Sequence, residues 1–326
     1  MGFLKRIGID SYMLMLLGTV MVGLVLPARG VAADALGQVT YWAVALLFFL
    51  YGAKLDPASV KAGMLNWRLQ GLTFAATYLM IPVQGMAFAL IFGDLLGPQV
   101  TLGLVFLAVL PSTIQSSIAF VSMAGGNVPA AICAASLSNL VGVALTPALV
   151  AVLLKTGEGG VSLDAVLRIG TQILLPFVLG QILRPWVGAF VRNRKTLTLV
   201  VDRGAILLIV YSAFSAGTVS GLWASIPPTA LIALIAVMLV LLACVFGMMA
   251  GAGRAFGLPL EDRIVLFFCG STKSLATGLP IATALFPAET VGATVLPVLV
   301  YHMAQLLICA MIAQNRARRN ATALVA

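Results

Sequence analysis

The chain has 326 residues, of which 61% are hydrophobic and 9% charged, with a mean hydropathy of +1.11. Soluble domains carry roughly a quarter charged residues, so this balance excludes a water-dispersed globule and points to lipid as the solvent. The net charge of +9 does not indicate nucleic acid, because the basic residues lie in short loops between apolar stretches and not on one face or in a tail.

Apolar stretches of 18 or more residues recur along the chain, and about 20 helical residues span a bilayer core. The stretches are continuous and do not alternate, which argues for helices and against a transmembrane barrel. Ten spans are predicted, at about 11–27, 38–55, 69–92, 99–125, 128–154, 163–185, 202–222, 228–252, 262–286 and 288–314. The fourth and ninth are interrupted. The first has the outline of a signal peptide, with Lys5 and Arg6, an apolar run from Met13 to Leu26, and Ala28, Ala32 and Ala33. We read it as a membrane span, since removing it would spoil the repeat described below. Residues 57–66 are too polar to span and are expected along the interface. The four cysteines, Cys133, Cys244, Cys269 and Cys309, sit in apolar segments without CxxC or Cys/His spacing, so no metal site is expected.

Counting Lys and Arg orients the spans. With both termini in the cytoplasm, the inner segments hold Lys5, Arg6, Lys54, Lys61, Arg68, Arg184, Arg192, Arg194, Lys195, Arg203, Arg254, Arg263, Arg316, Arg318 and Arg319. These are 15 of the 19 basic residues, against Arg29, Lys155 and Arg168 outside, with Lys273 left within a span. That asymmetry fits the positive-inside rule for a multi-pass protein of a bacterial inner (plasma) membrane, a setting its compact loops also suit.

Ten spans divide into two halves of five that run in opposite directions, 11–154 and 163–314. Faint echoes accompany the division: Gly23 to Pro27 with Gly180 to Pro185, Pro111-Ser112-Thr113 with Gly270-Ser271-Thr272, and Thr146-Pro147 with Leu296-Pro297. Their common order suggests an all-α, ten-helix, 5+5 inverted repeat in one transporter unit.

Two segments carry chemistry. In the fourth span Pro111 removes a backbone donor, and Ser112, Thr113, Gln115, Ser116 and Ser117 supply hydroxyls and an amide at depth. Such residues also serve as glue between membrane helices, but five within six positions exceed what glue needs. In the ninth span Gly270, Gly278 and Pro280 permit unwinding, and Ser271, Thr272, Ser274 and Thr277 offer oxygens. Lys273 is the tenth residue of the stretch from Ile264 to Phe286, about 14 Å deep at 1.5 Å per residue. Its exposure to lipid would cost at least about 3 kcal/mol. Three arrangements suit it: a fixed cation on backbone carbonyls and hydroxyls, a partner for an anionic substrate, or a group that exchanges its proton during a transport cycle. No Asp or Glu lies at the same depth. Gln84, Ser136, Ser138, Asn139, Gln172, Gln181, His302 and Gln305 could complete a cavity, though each alone is better explained by a helix–helix hydrogen bond. Asn139 and Gln305 are the best placed of the set, and His302 suits a packed interfacial residue as well as a proton carrier. HExxH and GxSxG are absent, and no enzyme is expected.

At Leu174 to Pro185 and Phe268 to Pro280 the chain resembles the bile acid:sodium symporter family, most of all the subgroup that includes its divergent seventh human member. The resemblance implies ten helices with a panel and a core, broken helices four and nine crossing beside two sodium sites, and an organic-anion cavity. The family's fourth-helix motif falls on Pro111, Ser112, Thr113, Ser116 and Ser117, where the proline and one serine match. Its ninth-helix glutamate and glutamine fall near Cys269 and on Lys273, its fifth-helix hydroxyls on Ala131 and Ala135, and its third-helix glutamine near Thr77. Most typical sodium ligands are thus replaced. The expectation is a secondary transporter of a small or amphipathic organic anion, with Na+ or H+ open as the coupling ion. A proton-coupled or facilitative carrier, or a non-transporting regulatory membrane protein, are the alternatives.

Overall fold

The computed structural model describes residues 11–54, 66–153 and 170–325, all helical or connecting, with no strand among them. Lys5, Arg6, Lys61, Lys155, Arg168 and the stretch expected along the interface up to residue 65 lie outside the described residues.

The helices follow the apolar runs in order: α1 (Ser11–Val25), α2 (Val31–Lys54) and α3 (Trp67–Leu96). Next come α4 (Pro98–Ala108) and α5 (Gln115–Met123), the two halves of the interrupted fourth span, and α6 (Val128–Leu153). Then follow α7 (Leu175–Asn193), α8 (Lys195–Val219) and α9 (Pro228–Ala255). The ninth span divides into α10 (Leu260–Ser271) and α11 (Leu275–Leu285), and α12 (Ala288–Val325) ends the chain. Among the described residues eight segments are long and apolar enough to cross a membrane. Tyr12–Val25 and Pro98–Ala108 are shorter apolar helices at the first and fourth predicted spans.

Helix ends depart from the hydropathy limits. The α12 helix runs eleven residues past the expected 314, through Arg316, Arg318 and Arg319, and α2 and α8 each begin seven residues early. Hydropathy marks where lipid contact ends, and helical hydrogen bonding continues into the polar zone.

Two layers emerge from the packing. The helices α1, α2, α7 and α8 associate through α1 on α8 and α2 on α7. Gly52 and Gly180 let α2 and α7 touch backbone to backbone: a Cβ on either would collide with the carbonyl of Phe177 or Phe49 on the other helix. Gln181 Nε2 also donates to Gly52 O at 2.7 Å, so this glutamine is glue between the two. The second layer wraps α10–α11, of which 89% of the apolar stretch is buried against 22–44% for the other long spans. Large apolar side chains such as Leu90, Ile232 and Trp186 face outward, as lipid-exposed surface requires. Cys133, Cys269 and Cys309 are buried and Cys244 is exposed on α9, all within apolar helices.

At one end of the second layer three helix starts converge. Asp262, in the first turn of α10, accepts from Asn66 Nδ2 at 2.8 Å and Asn127 Nδ2 at 3.0 Å. The same asparagines use their oxygens to cap α3, through Leu69 N, and α6, through Ala130 N.

Candidate functional site

The two unwound stretches, 109–114 and 272–274, cross in the buried middle of the second layer. The crossing is tied by a backbone bond, Ser274 N donating to Pro111 O at 2.8 Å. Pro111 has no N–H, so α4 cannot continue its ladder there, and Leu110 N turns to Leu107 O at 3.2 Å.

Buried backbone groups need partners, and here each carbonyl from 108 to 112 receives one from another element. Lys273 Nζ donates to Ala108 O at 2.7 Å and to Leu110 O at 2.8 Å. Thr146 Oγ1 donates to Val109 O at 2.8 Å, Ser274 N reaches Pro111 O, and Asn139 Nδ2 reaches Ser112 O at 2.7 Å. Ser112 N donates to Ser138 Oγ at 3.0 Å. On the other strand of the crossing, Gln305 binds both polar groups of the Lys273 backbone, and Tyr301 Oη donates to Ser271 O at 2.8 Å. Each unwound stretch is therefore held by a side-chain amide from the span that follows the broken one, Asn139 on α6 and Gln305 on α12.

The third proton of the Lys273 ammonium goes to Thr77 O at 2.9 Å. Local sequence explains why that carbonyl is free. Residues Ala76–Met80 form a π turn in which Ile81 N bonds Ala76 O. The donor five residues after Thr77 would be Pro82, which has none. A second π turn, Gly170–Leu174, repeats the spacing, with Pro176 five residues after Thr171. Lys273 is 1% exposed, and all three ammonium protons are spent on backbone carbonyls. Two of these close α4, so the cation sits at the negative end of a half-helix. Of the three arrangements considered for Lys273, this conformation has the one with the cation on backbone carbonyls.

The hydroxyls gather beside it. Thr272 Oγ1 donates to Phe268 O at 2.9 Å and lies 3.0, 3.1 and 2.7 Å from the hydroxyls of Ser112, Thr113 and Ser117. Ser116 joins through Thr113 at 2.7 Å, and Thr113 lies 2.6 Å from Ser117. Ser274 caps α11 through Thr277 N, and Thr277 Oγ1 donates to Asn139 Oδ1 at 2.8 Å. Ser271 Oγ folds back onto Phe267 O within its own helix. His302 Nδ1 lies 2.9 Å from Gln305 Nε2 and 3.4 Å from Lys273 O.

Twelve of the thirteen residues singled out from sequence thus meet at the crossing or on the elements that clamp it. Gln115 does not join the cluster: it opens α5 on the exposed side while Ser117 faces inward. Sequence reasoning passed over Thr146 and Tyr301 and reached Thr77 only through the family resemblance. The available signals were Pro82 five places after Thr77 and Pro147 next to Thr146. Among the described residues no group of His, Cys, Asp or Glu could hold a metal ion.

Known proteins resemble this chain along most of its length. Residues 10–318 match the model of the SBF-like CPA transporter family. An uncharacterized protein of Pseudomonas aeruginosa is 47% identical over 95% of this chain and 94% of its own length. The candidate symporter YfeH of Escherichia coli is 40% identical over 96% and 94%. The sodium/bile acid cotransporter 7 of Danio rerio is 22% identical over 94% of both chains. The chain belongs to the SBF-like CPA transporter family and is a member of the bile acid:sodium symporter family of membrane transporters.

Proposed function

We propose that the chain is a secondary transporter moving a small or amphipathic organic anion by alternating access. Its ten membrane-crossing segments form two inverted halves of five, with both termini in the cytoplasm of an inner-membrane protein. The observation that carries the reading is the crossing itself, two broken helices joined at Ser274 N and Pro111 O with their freed backbone groups held by buried polar side chains. Broken helices of this kind at membrane depth are typical of transporter sites.

The packing supports the repeat. The first span packs on the seventh and the second on the sixth, which is the exchange expected if spans one and two correspond to six and seven. The names of the cotransporter relatives support an organic anion as the substrate class.

In this reading Lys273 supplies the fixed positive charge that sodium-binding side chains would otherwise recruit. It neutralises the carbonyl end of α4 and keeps the crossing intact through the cycle. The test is uptake of organic anions into proteoliposomes under imposed sodium and pH gradients, with Lys273→Ala and Lys273→Gln alongside the wild type. Loss of uptake in both variants is expected. Unchanged uptake would sink the role given to Lys273. No uptake and no thermal stabilisation of the wild type by any organic anion would favour a regulatory membrane protein.

A further inference from the structure

The carbonyls of Thr77, Ala108 and Leu110 are set free by features that owe nothing to Lys273. The π turn and Pro82 release Thr77 O. In a continued α4 helix Ser112 N would bond Ala108 O, but Ser112 N is taken by Ser138 Oγ. Leu110 lies in the unwound stretch beyond the last residue of α4, where no helical N–H four places on reaches its carbonyl. Three buried acceptors therefore converge on one point at the negative end of a half-helix, 2.7 to 2.9 Å from the nitrogen that fills it.

We propose that this cage is a binding site for a monovalent cation of the primary-ammonium type, which the chain fills with its own side chain. The wild-type site is closed to free cations, and the transport cycle exchanges no ion at this position. Emptied of the amine, the cage accepts a cation from solution. Carbonyl dipoles in a water-poor interior favour positive charge strongly, and the N···O spacing suits an ammonium head. The long Lys273 stem leaves a matching sleeve, which a primary alkylammonium of the same length would occupy. Truncation to alanine removes three carbons and the nitrogen, the composition of propylammonium.

The inference concerns the site of the proposed function but is read by binding, so it can fail while transport is confirmed, or hold where no anion is transported. Purified full-length Lys273→Ala is melted in detergent with propylammonium, ammonium, sodium, potassium or choline chloride at equal ionic strength. A saturable rise in Tm of at least about 2 °C over choline is expected with propylammonium or ammonium. The wild type, whose cage is full, and Lys273→Met, which fills the sleeve without charge, are expected to show no such rise. If the alanine variant is recovered only with a cation in the extraction buffer, the cation that permits recovery becomes the readout, with propylammonium or ammonium expected. Stabilisation by sodium alone overturns the ammonium assignment. An equal response in wild type and variant overturns the cage, as does no response to any cation or failure to recover the variant under all of them.

Discussion

Gln305 holds Lys273 by its main chain: its Oε1 accepts from Lys273 N at 2.8 Å and its Nε2 donates to Lys273 O at 2.8 Å. The ninth span is thus pinned, on one side of its break, by a single planar amide from α12. Gln305→Leu leaves the buried Lys273 N–H without a partner and its C=O with only the 3.4 Å contact to His302 Nδ1, at about 1–3 kcal/mol for each unsatisfied group. A fall in Tm of several degrees is expected. Gln84 provides the contrast, since its carboxamide oxygen is buried with no partner. Gln84→Leu should leave Tm unchanged or raise it, and equal losses in the two variants would show that the clamp adds nothing.

Asn139 performs the corresponding service for the fourth span, donating to Ser112 O while accepting from Thr277 Oγ1. It therefore couples both breaks to α6. A double-mutant cycle of Asn139→Leu and Thr277→Val should return a coupling energy of about 0.5–3 kcal/mol from melting or denaturant titration. Simple additivity of the two losses would refute the link.

Much of this site is legible in the sequence. Pro111, Lys273, Asn139 and Gln305 stand out because polar and ring-constrained residues are costly inside an apolar span, so each demands a reason. Their partners were hidden because they are main-chain carbonyls of Thr77, Ala108 and Leu110, and a sequence does not mark which carbonyl a π turn or a broken helix will release. Gln115 misled for a related reason. The restart point of α5 sets the helical phase, and about 100° per residue separates an inward Ser117 from an outward Gln115. The far end of α12 lies beyond the hydropathy limit because Arg316 to Arg319 end the apolar run without ending the helix.

Pro82 offers a test of how the cage is made. Pro82→Ala supplies a donor to the π turn and allows the third span to relax toward an α-helix, which competes for Thr77 O. Transport should fall several-fold while Tm holds or rises, because helix regularity is gained as the site is lost. Full transport in this variant would mean that the Thr77 carbonyl is dispensable to the cage.

The first layer can be probed independently of the site. Gly52→Ala and Gly180→Ala drive a methyl into the opposing main chain, and overpacking of this kind costs about 1–3 kcal/mol. Gly71→Ala, in a helix with nothing near its would-be Cβ, should instead stabilise by up to about 1 kcal/mol. Thermal melts of the three proteins check the ordering, and a stabilised Gly180→Ala would contradict the close α2–α7 contact.

The distribution of partners for carbonyls 108 to 112 has a mechanical consequence. Five consecutive acceptors are satisfied from α6 and from the broken ninth span, so no single bond at the crossing can lengthen without stranding a buried group on another element. The crossing behaves as a knot that is carried whole. Under the alternating-access cycle proposed above, movement that exposes it to one side of the membrane and then the other would be taken up where α8 of the first layer packs on α11 and α12 of the second.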